Sequence, residues 1–87
     1  MYNVNISSNE NYIKFKVYNE KKFIALFFIK KQHNFKEVLR HFKTSSWENE
    51  GDFMQTYYKE NGTTIAGCSY QNNYKLDDII ETLSTVI

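Results

Sequence analysis

The side chains able to do chemistry are few and poorly spaced for it. His33, His41 and Cys68 are the soft metal ligands and the nucleophile-base candidates. Zinc sites draw on pairs such as Cys-x-x-Cys or two histidines one helical turn apart, and neither spacing occurs. His33 and His41 fall at opposite ends of one helical stretch. The members of a Cys-His nucleophile pair can lie far apart in a chain, so spacing alone leaves that option open. Cys68, however, sits mid-strand on a face shared with Ala66 and Tyr70, where a small buried thiol is the expected role. Asp77 and Asp78 are neighbours on a helix and point in different directions; their place in its first turn suits the helix dipole. Gly51, Gly62 and Gly67 are scattered and form no phosphate cradle. Nothing assembles an acid, a base and an oxyanion donor. The expectation is a chain that is not an enzyme, holds no metal or cofactor, and has no evident small-molecule substrate.

Binding chemistry is better represented. Tyr12, Lys14, Lys16 and Tyr18 alternate with Ile13, Phe15 and Val17, and side chains of a strand point to opposite faces in turn. Ile13, Phe15 and Val17 form the natural core face. A two-residue or four-residue turn at Asn19 places Ile24, Leu26 and Phe28 with them. The opposite face then carries Tyr12, Lys14, Lys16 and Tyr18 beside Phe23, Ala25, Phe27 and Ile29. Left in water, those apolar groups would make the kind of patch that marks an interaction site. Three explanations compete. The face is covered by the N-terminal strand, the 44–52 loop or the second hairpin; or it is an interface with another protein, a second copy included; or it is a stacking platform for single-stranded nucleic acid, with lysines tracking phosphates. A second candidate is the acidic loop with Trp47, Glu48 and Glu50, since Trp is favoured at interface hot spots. Its alternative is that Trp47 folds back to cap the core. Tyr57 and Tyr58 are adjacent on a strand, so one of them faces away from the core.

The elements that position these groups follow from periodicity. Residues 3–7 are a weak strand, and residues 12–18 and 23–30 form a hairpin. Asn34 and Glu37 have capping-box spacing, and Phe35, Val38, Leu39 and Phe42 make one helical stripe. Residues 44–52 read as a polar loop. Asn61-Gly62 between 53–59 and 64–70 is a strong hairpin signal. Leu76, Ile79, Ile80, Leu83 and Val86 form a second helical stripe. The order β-β-β-α-β-β-α implies an α+β fold: an antiparallel sheet of four to five strands with two helices on one face. The sequence shows no internal repeat, no linker and no proline, and is read as a single domain over residues 1–87.

Composition bounds the rest. No stretch approaches the length of a membrane span; the N-terminus lacks a signal-peptide pattern, and one cysteine cannot form an internal disulfide, which together favour a cytoplasmic protein. Net charge is +1, but residues 1–43 hold nine basic and three acidic side chains, and residues 44–87 two and seven. Separate basic and acidic regions are expected. Lys, Asn, Ile, Tyr and Phe, with AT-rich codons, account for 42 of the 87 residues. These readings converge on a small non-catalytic protein-binding module, an inhibitor or accessory factor of phage or mobile-element origin acting by protein-protein contact on a host protein or on itself. The alternative is a single-stranded nucleic-acid-binding domain using the basic-aromatic face.

Overall fold

The two hairpins and two helices read from periodicity are all present in a computed structural model of the chain, which describes residues 1–86. Strands β1 (Tyr2–Ser8), β2 (Tyr12–Asn19) and β3 (Lys22–Lys30) are followed by helix α1 (Phe35–Thr44), and strands β4 (Glu48–Glu50), β5 (Phe53–Glu60) and β6 (Thr63–Gln71) by helix α2 (Leu76–Thr85). All six strands join in one antiparallel sheet of order β1-β2-β3-β6-β5-β4. The α+β class holds, with one strand more than expected. The addition is β4, inside the segment expected to be a loop: Glu48 and Glu50 pair with Gln55 and Phe53.

Both helices lie on one face, and the core sits between them and the sheet. Phe15, Val17, Phe27 and Ile29 meet Val38, Leu39 and Phe42 of α1 and Ile79, Ile80 and Leu83 of α2. Phe15 stacks on Phe35 at 4.3 Å, and Phe27 meets Phe42 edge to face at 5.8 Å. Burying each such side chain stabilises the fold by about 1.5–3 kcal/mol. Asn34 caps α1, its side chain accepting a bond from the Glu37 N–H at 3.1 Å. Val86, expected in the second stripe, instead follows α2 as its C-cap and is exposed.

The face assignment of β3 is corrected by a bulge. Val17 pairs with Ala25 but Tyr18 pairs with Phe23, so Ile24 has no partner of its own. Ile24 and Ala25 are both fully buried. One inserted residue reverses the alternation beyond it. Ala25, Phe27 and Ile29 therefore face the core with Val17, Phe15 and Ile13, while Leu26, Phe28 and Lys30 face away. Varying the turn by two residues preserves the parity that a one-residue bulge breaks.

The chain also carries a structural repeat that its sequence conceals. β2, β3 and α1 recur as β5, β6 and α2 at a constant separation of 41 residues: Tyr12 with Phe53, Lys22 with Thr63, Phe35 with Leu76. The detail is kept as well. The first hairpin's register shift at Val17/Tyr18 recurs at Tyr58/Lys59, and Glu20 and Asn61 both have positive φ. Phe27 pairs with its own counterpart, Cys68, at the centre of the β3-β6 ladder, so a pseudo-two-fold axis passes there. Between residues 12–44 and 53–85, only Ile24/Ile65, Ala25/Ala66 and Thr44/Thr85 are identical.

The two units interlock, because α1 crosses onto β5 and α2 crosses back towards β1. This redistributes charge. Basic α1 covers the acidic half's strands, and acidic α2 covers the basic half's. The two halves of the sequence therefore do not become two oppositely charged halves of the molecule.

Candidate functional site

The helix-free face of the sheet is open. None of the segments expected to cover it does so: β1, β4 and the second hairpin extend the sheet sideways. Tyr12, Lys14, Lys16 and Tyr18 lie there as expected, with Phe23 beside Tyr18 at 5.7 Å. Phe27 does not: it is fully buried under α1. Phe28 takes its place and links the strands. It meets Tyr12 edge to face at 5.6 Å on one side and Tyr57 at 6.4 Å on the other. Tyr12, Phe28 and Tyr57 thus form an aromatic row across β2, β3, β6 and β5. Sequence reasoning missed Phe28 and left Tyr57 undecided. The Asn-Gly hairpin on its own would pair Tyr57 with buried Ala66; only the two bulges place Tyr57 and Phe28 on the open face.

Gly67 makes the row possible. It lies between Phe28 and Tyr57 in the ladder, and a Cβ there would come within 2.6 Å of Phe28 Cζ and 3.1 Å of Tyr57 Cδ1. The Phe28 ring therefore leans across the glycine, one side against backbone and the other outward. Lys14, Lys16 and Lys30 border the row on β2 and β3, and Lys59 borders it on β5. Glu48 and Glu50 stand at the far edge on β4, exposed.

Trp47 is not presented by a free loop. Its indole N–H donates to the Phe42 carbonyl at 3.1 Å, and its ring packs on Phe42 and edge-on to Tyr70 at 5.2 Å. It is half-buried on the helix side, away from Glu48 and Glu50. Trp47, Glu48 and Glu50 are therefore not one site. Tyr58 also lies on the helix side, stacked on His41 at 4.3 Å.

The chemically able groups are dispersed. Cys68 pairs with Phe27 and Thr56 at the centre of the sheet, and burial pushes its thiol well above its ordinary pKa. His41 lies outside on α1. Asp77 and Asp78 occupy the first turn of α2, both exposed. Tyr58 donates to Glu60 at 2.7 Å, and that bond raises its pKa; burial raises Tyr2 and Tyr70. Among the described residues, no three of His, Cys, Asp and Glu come together as metal ligands, and no helix is long and apolar enough to cross a membrane.

The repeat supplies an internal comparison for this face. Several paired positions in the core keep their character, Val38/Ile79, Leu39/Ile80, Phe42/Leu83 and Ile24/Ile65 among them, although Phe15 answers to Thr56 and Phe27 to Cys68. Most paired positions on the open face do not, Tyr12/Phe53 excepted. Lys14 answers to Gln55, Lys16 to Tyr57, Phe23 to Thr64, Leu26 to Gly67, Phe28 to Ser69 and Lys30 to Gln71. Two copies of one backbone make the same demands, so the fold does not require lysines and aromatics at these places. No protein family, curated protein or solved structure matches the chain.

Proposed function

We propose that this chain is a non-catalytic binding module that holds another protein against the helix-free face of its sheet. Tyr12, Phe28 and Tyr57 form the centre of the contact, and Lys14, Lys16, Lys30 and Lys59 its rim. The observation that carries this reading is the aromatic row itself, Tyr12 against Phe28 and Phe28 against Tyr57 across the open face; the internal comparison supports it, since Phe28, Lys14 and Lys30 stand where the second repeat has Ser69, Gln55 and Gln71. An apolar, aromatic centre within a polar rim is the anatomy of a protein interface, and Glu48 and Glu50 give that rim both signs. Small size and a composition rich in residues with AT-rich codons fit an inhibitor or accessory factor carried by a phage or other mobile element, acting in the cytoplasm.

A second reading rests on the Phe28 ring. Its outward face over Gly67, with lysines beside it, suits stacking on an unpaired base. The carboxylates on β4 oppose a polyanion crossing the whole sheet and confine such a track to β2 and β3.

Anisotropy with a short fluorescent oligothymidine, titrated at low and high salt, separates the two. For the protein-binding reading the oligonucleotide does not bind, and a host protein co-purifies with the wild type but not with Phe28→Ser/Tyr57→Ser. Oligonucleotide binding that falls steeply with salt and is lost in Lys14→Glu/Lys16→Glu favours the second reading. Retention of the host protein by both double variants would remove the open face from consideration.

A further inference from the structure

The two edges of the sheet occupy equivalent places in the repeat, yet they are finished differently. Natural sheets blunt their edges with short strands, charges, prolines or bulges. β4 does so: it is three residues long and two are glutamate. β1 has none of these devices. It is seven residues, Tyr-Asn-Val-Asn-Ile-Ser-Ser, without a charge, a proline or a glycine. All seven pair with β2 in one uninterrupted register, and among the described residues no other strand pairs with β1. Ile6 shows the consequence. Its counterpart in the repeat, Trp47, is packed and hydrogen-bonded, whereas Ile6 is 53% exposed at the rim of the core.

We propose that β1 is a self-association edge, paired antiparallel with β1 of a second copy about a two-fold axis at Asn5. The strand is complementary to itself in that register. Val4 would face Ile6 of the partner on the helix side, covering the exposed Ile6. Asn3 would face Ser7, and Asn5 its own counterpart, on the open side, where amides and hydroxyls can bond across the junction. No like charges within the strand come opposite each other, a condition that β4 cannot meet. The two six-stranded sheets become one, and the helix-free faces become continuous. Asp78 and Glu81 on α2 flank β1 on the helix side, beside Tyr2, and they oppose the pairing. The dimer therefore tightens as salt rises, opposite to any contact made through Lys14 and Lys16. The inference does not depend on what the open face binds.

Light scattering on the full chain across its soluble concentration range is the first measurement. The expected mass rises from 10.4 kDa towards twice that value, more readily at high salt. Ile6→Lys, at an already exposed position, restores the monomer while leaving the melting temperature close to that of wild type. The register is read by cross-linking. Asn5→Cys lies on the axis and gives a covalent dimer under mild oxidation. Ser7→Cys, about 13 Å from its own counterpart along the strand, does not; buried Cys68 serves as the internal control. A chain monomeric at every concentration overturns the proposal. So do equal cross-linking by both cysteine variants, and growth beyond a dimer, which would mean a head-to-tail edge contact.

Discussion

The ring of Phe28 lies across the space where a side chain on Gly67 would begin, with 2.6 Å between Phe28 Cζ and that position. The two residues are partners in the β3-β6 ladder, so the aromatic row and the glycine are one device. Gly67→Ala should push Phe28 away from Tyr57 and cost about 1–3 kcal/mol, as overpacking does. In a Phe28→Ala background the same change should cost much less, a coupling of about 0.5–3 kcal/mol. Urea unfolding of the four proteins in this cycle checks it. An equal cost in both backgrounds would falsify the dependence of the row on Gly67.

The two helix starts are equivalent in the repeat but only one is capped. Asn34 accepts from the Glu37 N–H, whereas Lys75, in the same position before α2, makes no side-chain cap bond. Asn34→Ala should destabilise by about 1 kcal/mol. Lys75→Asn should stabilise by up to about 1 kcal/mol, by giving the Asp78 N–H the partner that Glu37 already has. Thermal melts of the two single variants should move in opposite directions. Two shifts of the same sign would mean that the ends are not equivalent.

Trp47 makes a testable distinction between holding the core and serving a partner. Trp47→Phe keeps most of the packing and removes the bond to the Phe42 carbonyl, a loss of about 1 kcal/mol. Trp47→Ala should cost more, on the order of 2 kcal/mol or above, because a cavity opens beside Phe42 and Tyr70. Since Trp47 is the single tryptophan, its fluorescence follows the unfolding directly. Stability unchanged in both variants would return Trp47 to the role of a presented side chain.

Cys68 gives the fold a predictable response to alkali. Burial raises its thiol pKa, so the folded state favours the protonated form more than the unfolded state does. The stability this contributes is fully present below the thiol's ordinary pKa of about 8.5. It is lost as pH climbs from there through the raised folded value. Urea midpoints of wild type and Cys68→Ala, compared from neutral pH upwards, should show a steeper alkaline decline for wild type. Parallel curves would mean that the thiol is not protonated by burial. A thiol reagent should label the native protein only at the rate at which it opens.

Much of the architecture was legible because it rests on local patterns. The helical stripes of Phe35–Phe42 and Leu76–Leu83 and the Asn61-Gly62 turn each lie within a few residues of chain. The Tyr12-Lys14-Lys16-Tyr18 face was legible for the same reason. Phe27 and Phe28 exchanged roles because the bulge at Ile24–Ala25 is set by how two strands settle against a core. Trp47 stays in the connection between α1 and β4 but folds back onto the core, the alternative its sequence offered, because Phe42 and Tyr70, from a helix and a distant strand, make a slot for it.

The sequence by itself determined which segments are strands and helices, that both helices pack on one sheet face, and that the first hairpin carries lysines and tyrosines opposite its core. Those properties follow from periodicity, turn chemistry and capping, which act over short separations. Only the tertiary structure decided that the chain is two equivalent interlocked units, that Phe28 rather than Phe27 faces outward, and that β1 ends the sheet unprotected. The repeat survives with three identities because the helix positions that face the core need apolar side chains of fitting size rather than particular residues. Parity and edge exposure, in turn, are settled by neighbours that the chain brings together only on folding.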